Sequence, residues 1–181
     1  APTRRSLTYA GIAVVLAGVG LIPATPAAGH TSRTLPHWQL SFAGNGETFR
    51  HVDAVSSRVA WLGSEAGTIW RTTDGGENWM DVSPHGATGL HFRDIEARDA
   101  LHAVAMTAGG GSNSRAYITS DGGGHWRLAY QSSNPDSFFD GMAFFDAQRG
   151  LIVGDPIDGK FQVLATPDGG KSWARVDTVM P

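Results

Sequence analysis

Cysteine is absent from all 181 residues. Disulfides, thiolate zinc sites and cysteine nucleophiles are therefore excluded, while the compartment stays open, because exported proteins also do without cysteine. Charge is sparse: Asp, Glu, Lys and Arg make up 17% of the chain and the formal net charge is −3. That mild acidity argues against a nucleic-acid partner, which needs a basic face. Motifs of catalysis on helices are missing too. No Gly-x-Ser-x-Gly elbow occurs, and no Gly-x-Gly-x-x-Gly follows a strand and opens a helix. Gly109–Ser114 is glycine-rich, but no helix follows it, so it reads as a flexible strand connection and not a phosphate cradle. The seven histidines lack the i, i+4 pairing of a zinc protease.

The N-terminus differs from the rest. Arg4 and Arg5 precede an apolar run of 14 residues, Tyr9–Ile22, and then Pro23-Ala24-Thr25-Pro26-Ala27-Ala28. A basic start, a short apolar stretch and a small-residue end predict a secretory signal peptide over residues 1–29. The run is short for a membrane span of roughly 20 residues, so the exported chain is expected not to span a membrane. Thr-Arg-Arg-Ser-Leu also fits a twin-arginine signal, and the two export routes stay open. An uncleaved anchor is the alternative. Residues 30–36 then read as a flexible lead-in. Loss of Arg4 and Arg5 takes the net charge to −5. The expected location is extracytoplasmic or secreted.

Glycine is plentiful, at 24 residues, and six tryptophans are scattered through the chain. Many short strands joined by tight turns have this composition. The turns repeat. Thr72-Thr73-Asp74-Gly75-Gly76-Glu77-Asn78-Trp79 recurs as Thr119-Ser120-Asp121-Gly122-Gly123-Gly124-His125-Trp126. It recurs again as Thr166-Pro167-Asp168-Gly169-Gly170-Lys171-Ser172-Trp173. The spacing is 47 residues both times. The paired glycines tolerate the positive φ of a hairpin turn. The Asp carboxylate can accept backbone N–H bonds from its own turn, and the Thr hydroxyl can add another. The Trp offers a large apolar face for packing. Four strands surround each turn: Phe49–Val55, Val59–Gly63, Thr68–Thr72 and Trp79–Val82; Leu90–Glu96, Leu101–Met106, Arg115–Thr119 and Trp126–Tyr130; Phe138–Phe144, Gly150–Gly154, Lys160–Thr166 and Trp173–Asp177. Four strands in 47 residues match one propeller blade. The prediction is all-β: about three four-stranded antiparallel blades, over 49–83, 90–131 and 138–178, within a partial β-propeller at 37–181. His37–Phe42 reads as one further strand.

The Thr-x-Asp-Gly-Gly-x-x-Trp turns resemble the Asp-box, or bacterial neuraminidase repeat, from about His37 onward. Such repeats build sialidases, the sortilin family and the photosystem II assembly and stability factor family. Ser137–Asp146, Gly154–Gly159, His91–Glu96 and Arg71–Gly76 look like exported bacterial relatives of that last family. The resemblance implies a non-catalytic scaffold that holds a protein partner, or else a glycan. A ring normally takes about 4–8 blades. The resemblance therefore implies a fragment of a larger, about seven-bladed propeller, the N-terminal part of a chain about twice as long. The alternative is a sialidase-like glycoside hydrolase with catalytic residues partly in further blades. A sialidase needs three arginines, a Tyr nucleophile and a Glu partner. Of the three tyrosines, Tyr9 lies in the predicted signal peptide, and Tyr117 and Tyr130 lie on predicted strands. The Arg-Ile-Pro segment that typically precedes the first blade of a sialidase is absent. Some relatives carry an oxidoreductase label, but no cofactor motif supports it here.

Structural roles are expected for Thr72, Asp74, Gly75, Gly76, Trp79, Thr119, Asp121, Gly122, Gly123, Trp126, Thr166, Asp168, Gly169, Gly170 and Trp173. A calcium loop needs several oxygen ligands together, and each box supplies one carboxylate already used by its turn. No metal, cofactor or catalytic residue is assigned. Inner strands of a propeller line its channel, so the candidate partner face comprises His51, Asp53, Arg93, Asp94 and Asp140, with Asp155 and Asp158 on a loop of the third blade. The competing reading makes them solvated strand-end and loop residues.

Overall fold

Apolar and polar residues alternate along much of residues 46–176, the pattern that lays one side of a strand on a core. The computed structural model describes residues 46–176. The predicted signal peptide, the lead-in, the strand at His37–Phe42 and the last five residues lie outside the described residues. Twelve strands form among those described: β1 Phe49–Ala54, β2 Ala60–Ser64, β3 Ile69–Thr72, β4 Met80–Asp81, β5 His91–Ala97, β6 Ala103–Ala108, β7 Arg115–Thr119, β8 Arg127–Gln131, β9 Phe139–Phe144, β10 Gly150–Ile157, β11 Lys160–Thr166 and β12 Ala174–Arg175. They make three four-stranded antiparallel sheets, β1-β2-β3-β4, β5-β6-β7-β8 and β9-β10-β11-β12. Each sheet is one blade of a β-propeller. β7 and β11 span the residues predicted for them. β10 runs on through Asp155 to Ile157, so Asp155 is a strand residue and not a loop residue. Asp158 does occupy the following turn, at φ 52°. Gly109–Ser114 closes on itself instead of lying open. Gly111–Asn113 forms a single 3-10 turn, and the buried Ser114 hydroxyl donates to Gly109 O at 2.8 Å.

The three turns after β3, β7 and β11 carry one hydrogen-bond pattern. Thr72, Thr119 and Thr166 are buried and donate their hydroxyls to Asp74, Asp121 and Asp168 at 2.8, 2.9 and 2.9 Å. Each hydroxyl in turn accepts the N–H of the second glycine at 3.0, 3.0 and 2.9 Å. Each carboxylate accepts the backbone N–H four residues on, from Asn78, His125 and Ser172, at 3.0, 2.9 and 2.9 Å. Its second oxygen takes the side chain of that same residue at 2.8, 2.6 and 2.6 Å. These donors favour the ionised form and hold all three carboxyls down at about 2. The N–H of the first glycine reaches the hairpin between its blade's first two strands, at Arg58 O, Leu101 O and Gln148 O. The turn therefore ties the inner hairpin to the outer strand.

The second glycine also sets the distance between blades. A Cβ on Gly123 would stand 2.6 Å from Val82 Cβ, and one on Gly170 would stand 2.6 Å from Val104 Cγ2, both in the preceding blade. With no side chain there, two apolar clusters close between blades. The first joins Trp61 and Ile69 to Phe92, Ile95, Ala105 and Tyr117. The second joins Val104, Met106 and Ala116 to Phe139, Met142, Ile152, Leu164 and Trp173. Trp126 stacks edge-on to Trp61 at 6.2 Å and donates its indole N–H to Val82 O at 2.7 Å. Charged arms add to both seams: Arg71 donates to Ala100 O at 2.6 Å, and Arg98 to Ala147 O at 3.1 Å.

Replacing Thr119 by Val leaves the buried Gly123 N–H without its acceptor, which costs about 1–3 kcal/mol. Urea unfolding is expected to show that loss, while Thr73→Val, at an exposed position, shifts stability by less than about 0.5 kcal/mol. Equal stability of the two variants would contradict the turn's role.

Candidate functional site

The blades have two ends. Thr72, Thr119 and Thr166 pair with the starts of β2, β6 and β10, so the three repeated turns lie at the end where the inner hairpins turn. The starts of β1, β5 and β9 lie at the opposite end. Arg50, Glu65, His91, Arg93, Asp140 and Asp155 gather there on consecutive blades. Arg50 pairs with Glu65 across the first blade. His91 Nε2 lies 3.9 Å from Glu65 Oε1 and is buried without a hydrogen bond. Burial pushes the His91 imidazole below its ordinary range, and Arg50 and Arg93 push the same way. Arg93 bridges to the third blade, donating from Nε to Asp140 O at 3.0 Å, with Nη2 3.5 Å from Asp140 Oδ1. Burial raises the Asp140 carboxyl, and the neighbouring Asp155 charge adds to the rise.

Further along the inner strands stands a second group: His51, Asp53, Asp94 and Glu96. Asp53 Oδ2 accepts the Ala97 N–H of the next blade at 2.6 Å, and Asp94 Oδ2 accepts the Met142 N–H of the blade after at 2.7 Å. These two carboxylates staple successive inner strands. Asp94 is only 8% exposed, and its Oδ1 lies 3.3 Å from His51 Nδ1 without the alignment of a hydrogen bond. Burial raises the Asp94 carboxyl, against the pull of the Met142 N–H and of His51. Glu96 is raised by burial and by the charges of Asp94 and Asp53.

Of the sequence-predicted residues, His51 and Asp94 meet, Arg93 and Asp140 meet, and Asp140 and Asp155 interact. Asp53 binds backbone, and Asp158 stands apart, exposed in its turn. Arg50, Glu65, His91 and Glu96 were not among the predicted residues. Glu96 lies two residues from Asp94 on one strand, and that spacing places both on one face. Among the described residues no group of three His, Asp or Glu side chains has the arrangement of a metal site, and no helix is long and apolar enough to cross a membrane.

No family model matches the chain, and no curated protein matches it either. Solved structures do. The chain is similar to YCF48 bound to D1 peptide, at TM-score 0.56 and 16% identity, covering 71% of this chain and 39% of that one. It is similar to YCF48 from Cyanidioschyzon merolae, at TM-score 0.54 and 19% identity, covering 71% and 40%. A GH74 xyloglucanase from Xanthomonas campestris matches at TM-score 0.52 and 18% identity, covering 66% of this chain and 19% of the enzyme. At these identities the likeness establishes the propeller fold alone. The chain spans about two fifths of the YCF48 chains and about a fifth of the xyloglucanase.

The raised Asp94 carboxyl has a consequence for pH. A carboxyl that holds its proton more tightly folded than unfolded contributes stability below its unfolded value of 3.8, and loses it as pH rises through the folded value. Asp94→Asn keeps an acceptor for Met142 and removes the titration. As pH rises from about 4, the wild-type melting temperature is expected to fall more steeply than that of Asp94→Asn. Parallel profiles would contradict the assignment.

Proposed function

We propose that this chain is an extracytoplasmic, non-catalytic β-propeller scaffold that holds a protein partner, with its Asp-box turns serving structure. The observation that carries the proposal is the end of the inner strands opposite the repeated turns. There Arg50, Glu65, Arg93, Asp140 and Asp155 present half-buried and exposed charges of both signs on consecutive rigid sheets. Charges fixed on strands can select a partner by electrostatic complementarity without moving. The likeness to a YCF48 chain that holds a peptide supports this reading. The turn carboxylates are spent on their own hydrogen bonds, which supports a structural role for them. The basic start and apolar run at 1–29 support export.

A glycoside hydrolase is the second reading, and the likeness to GH74 enzymes favours it. In that case the catalytic residues lie partly in blades beyond these three. The two readings separate experimentally. A scaffold is expected to give a discrete cross-linked partner in cell-envelope extracts, lost in Arg93→Glu while the melting temperature is retained. It is also expected to leave a panel of chromogenic glycosides untouched. Turnover of any glycoside, or cross-linking indifferent to Arg93→Glu, would overturn the scaffold.

A further inference from the structure

The 47-residue repeat supplies an internal control for each position in a blade. A groove of about 390 Å³ lies at the seam between the second and third blades, beside the second repeated turn. His125, Arg127 and Lys171 line it, all three exposed, and Trp126 and Ile118 form the apolar part of the lining. One repeat earlier, at the first seam, the same places hold Asn78, Met80 and Gly124. The turns and strand pairs form with those residues as well, so the fold itself requires no basic residue at any of the three. The first seam does hold Arg71, which is committed to Ala100 O at 2.6 Å and lies over the Trp61 ring.

The basic groups of the second seam are held in place. Arg127 donates from Nη2 to Lys171 O at 2.8 Å, and that bond across the seam fixes its guanidinium beside the third blade. His125 Nδ1 lies 2.6 Å from Asp121 Oδ2, so Nε2 is the ring nitrogen left to a ligand. Asp121 is the one carboxylate of the lining, and its own turn holds it ionised.

The strand that begins at this groove also differs from its counterpart. β4 has two residues and β8 has five, and each is the outermost strand of its sheet. A short edge gives a passing chain little to pair with, whereas a long one is a template for another strand. Arg127 and Leu128 open the β8 edge to solvent, with Leu128 43% exposed. β8 belongs to the middle of the three sheets, so both blades that flank its seam with the third are described.

We propose that an extended acidic peptide segment adds to β8 as a fifth strand of the second blade, with a carboxylate in the groove against Arg127, Lys171 and His125. Main-chain bonds along β8 hold the segment, and the groove selects its side chain. The planar fork of Arg127 matches a carboxylate, and Lys171 adds a second positive charge. The groove is roomier than an ion needs, and Trp126 and Ile118 receive the apolar stem of the side chain. This surface lies at the end of the repeated turns, away from Arg93 and Asp140, and does not rest on the scaffold reading.

Fluorescence polarisation of the full chain with a labelled peptide of alternating glutamate and valine tests the proposal. Binding is expected, and Arg127→Glu and Lys171→Glu are each expected to weaken it about tenfold or more. Met80→Glu, at the first-blade counterpart of Arg127, is expected to leave it unchanged. In a strand alternate N–H groups point to one edge, so of two further peptides, N-methylated on every valine or on every glutamate, one is expected to lose binding and the other to keep it. No binding of the parent peptide, binding indifferent to both charge reversals, or equal behaviour of the two N-methylated peptides would each overturn the proposal. So would an oligogalacturonate of equal charge that binds where the peptide does not, since the groove would then take acidic sugars. If Arg127→Glu unfolds for want of its bond to Lys171 O, the exposed Lys171→Glu carries the test.

Discussion

A carboxylate that captures the backbone N–H four residues ahead, while a buried threonine hydroxyl binds both that carboxylate and the glycine between them, closes each repeated turn. Everything radial in this molecule depends on that closure. The turn sets where β4, β8 and β12 begin, and through its first glycine it grips the hairpin at the inner end of the same blade. The second glycine then lies flat against the preceding blade, near Val82 and Val104. One eight-residue unit therefore fixes a sheet internally and spaces it from its neighbour. Polar satisfaction and apolar packing are served by the same few residues.

This division of labour separates the two ends of the propeller. The repeated turns occupy one end, and each of their carboxylates accepts three hydrogen bonds from its own turn. The starts of the inner strands occupy the other, where mixed charges meet across blades and burial shifts His91 and Asp140 from their ordinary ranges. Between them, Asp53 and Asp94 bind backbone N–H groups of the following blade. Those two are carboxylates spent on holding strands together, whereas the charges nearer the strand starts are half-buried or exposed.

Much of the fold was legible in the residues because turn chemistry is local. A Thr-x-Asp-Gly-Gly-x-x-Trp unit carries its own hydrogen-bond partners, and the flanking alternation of apolar residues marks the strands. β7 and β11 could be placed to the residue. Asp155 was misplaced because Asp-Pro reads as a turn signal, whereas β10 absorbs the proline through a register shift between Gly154 and Ile157 and continues. The candidate site was less legible for a physical reason. The bonds from Asp53 and Asp94 cross blades over 44 and 48 residues, and bulges at Phe92/Asp94 and Phe49/His51 change which face a side chain takes. Residue types could be assigned to inner strands from alternation, but the meeting of His51 with Asp94, or of Arg93 with Asp140, depends on that stagger.

Three carboxylates committed to their turns hold the blades in place. The most direct test is an NMR titration of the Asp74, Asp121 and Asp168 carboxyl carbons in the folded chain. Midpoints of about 2 are expected for all three. Midpoints at the ordinary 3.8 would mean the carboxylates are free in solvent, and the turn would have to be held by something else.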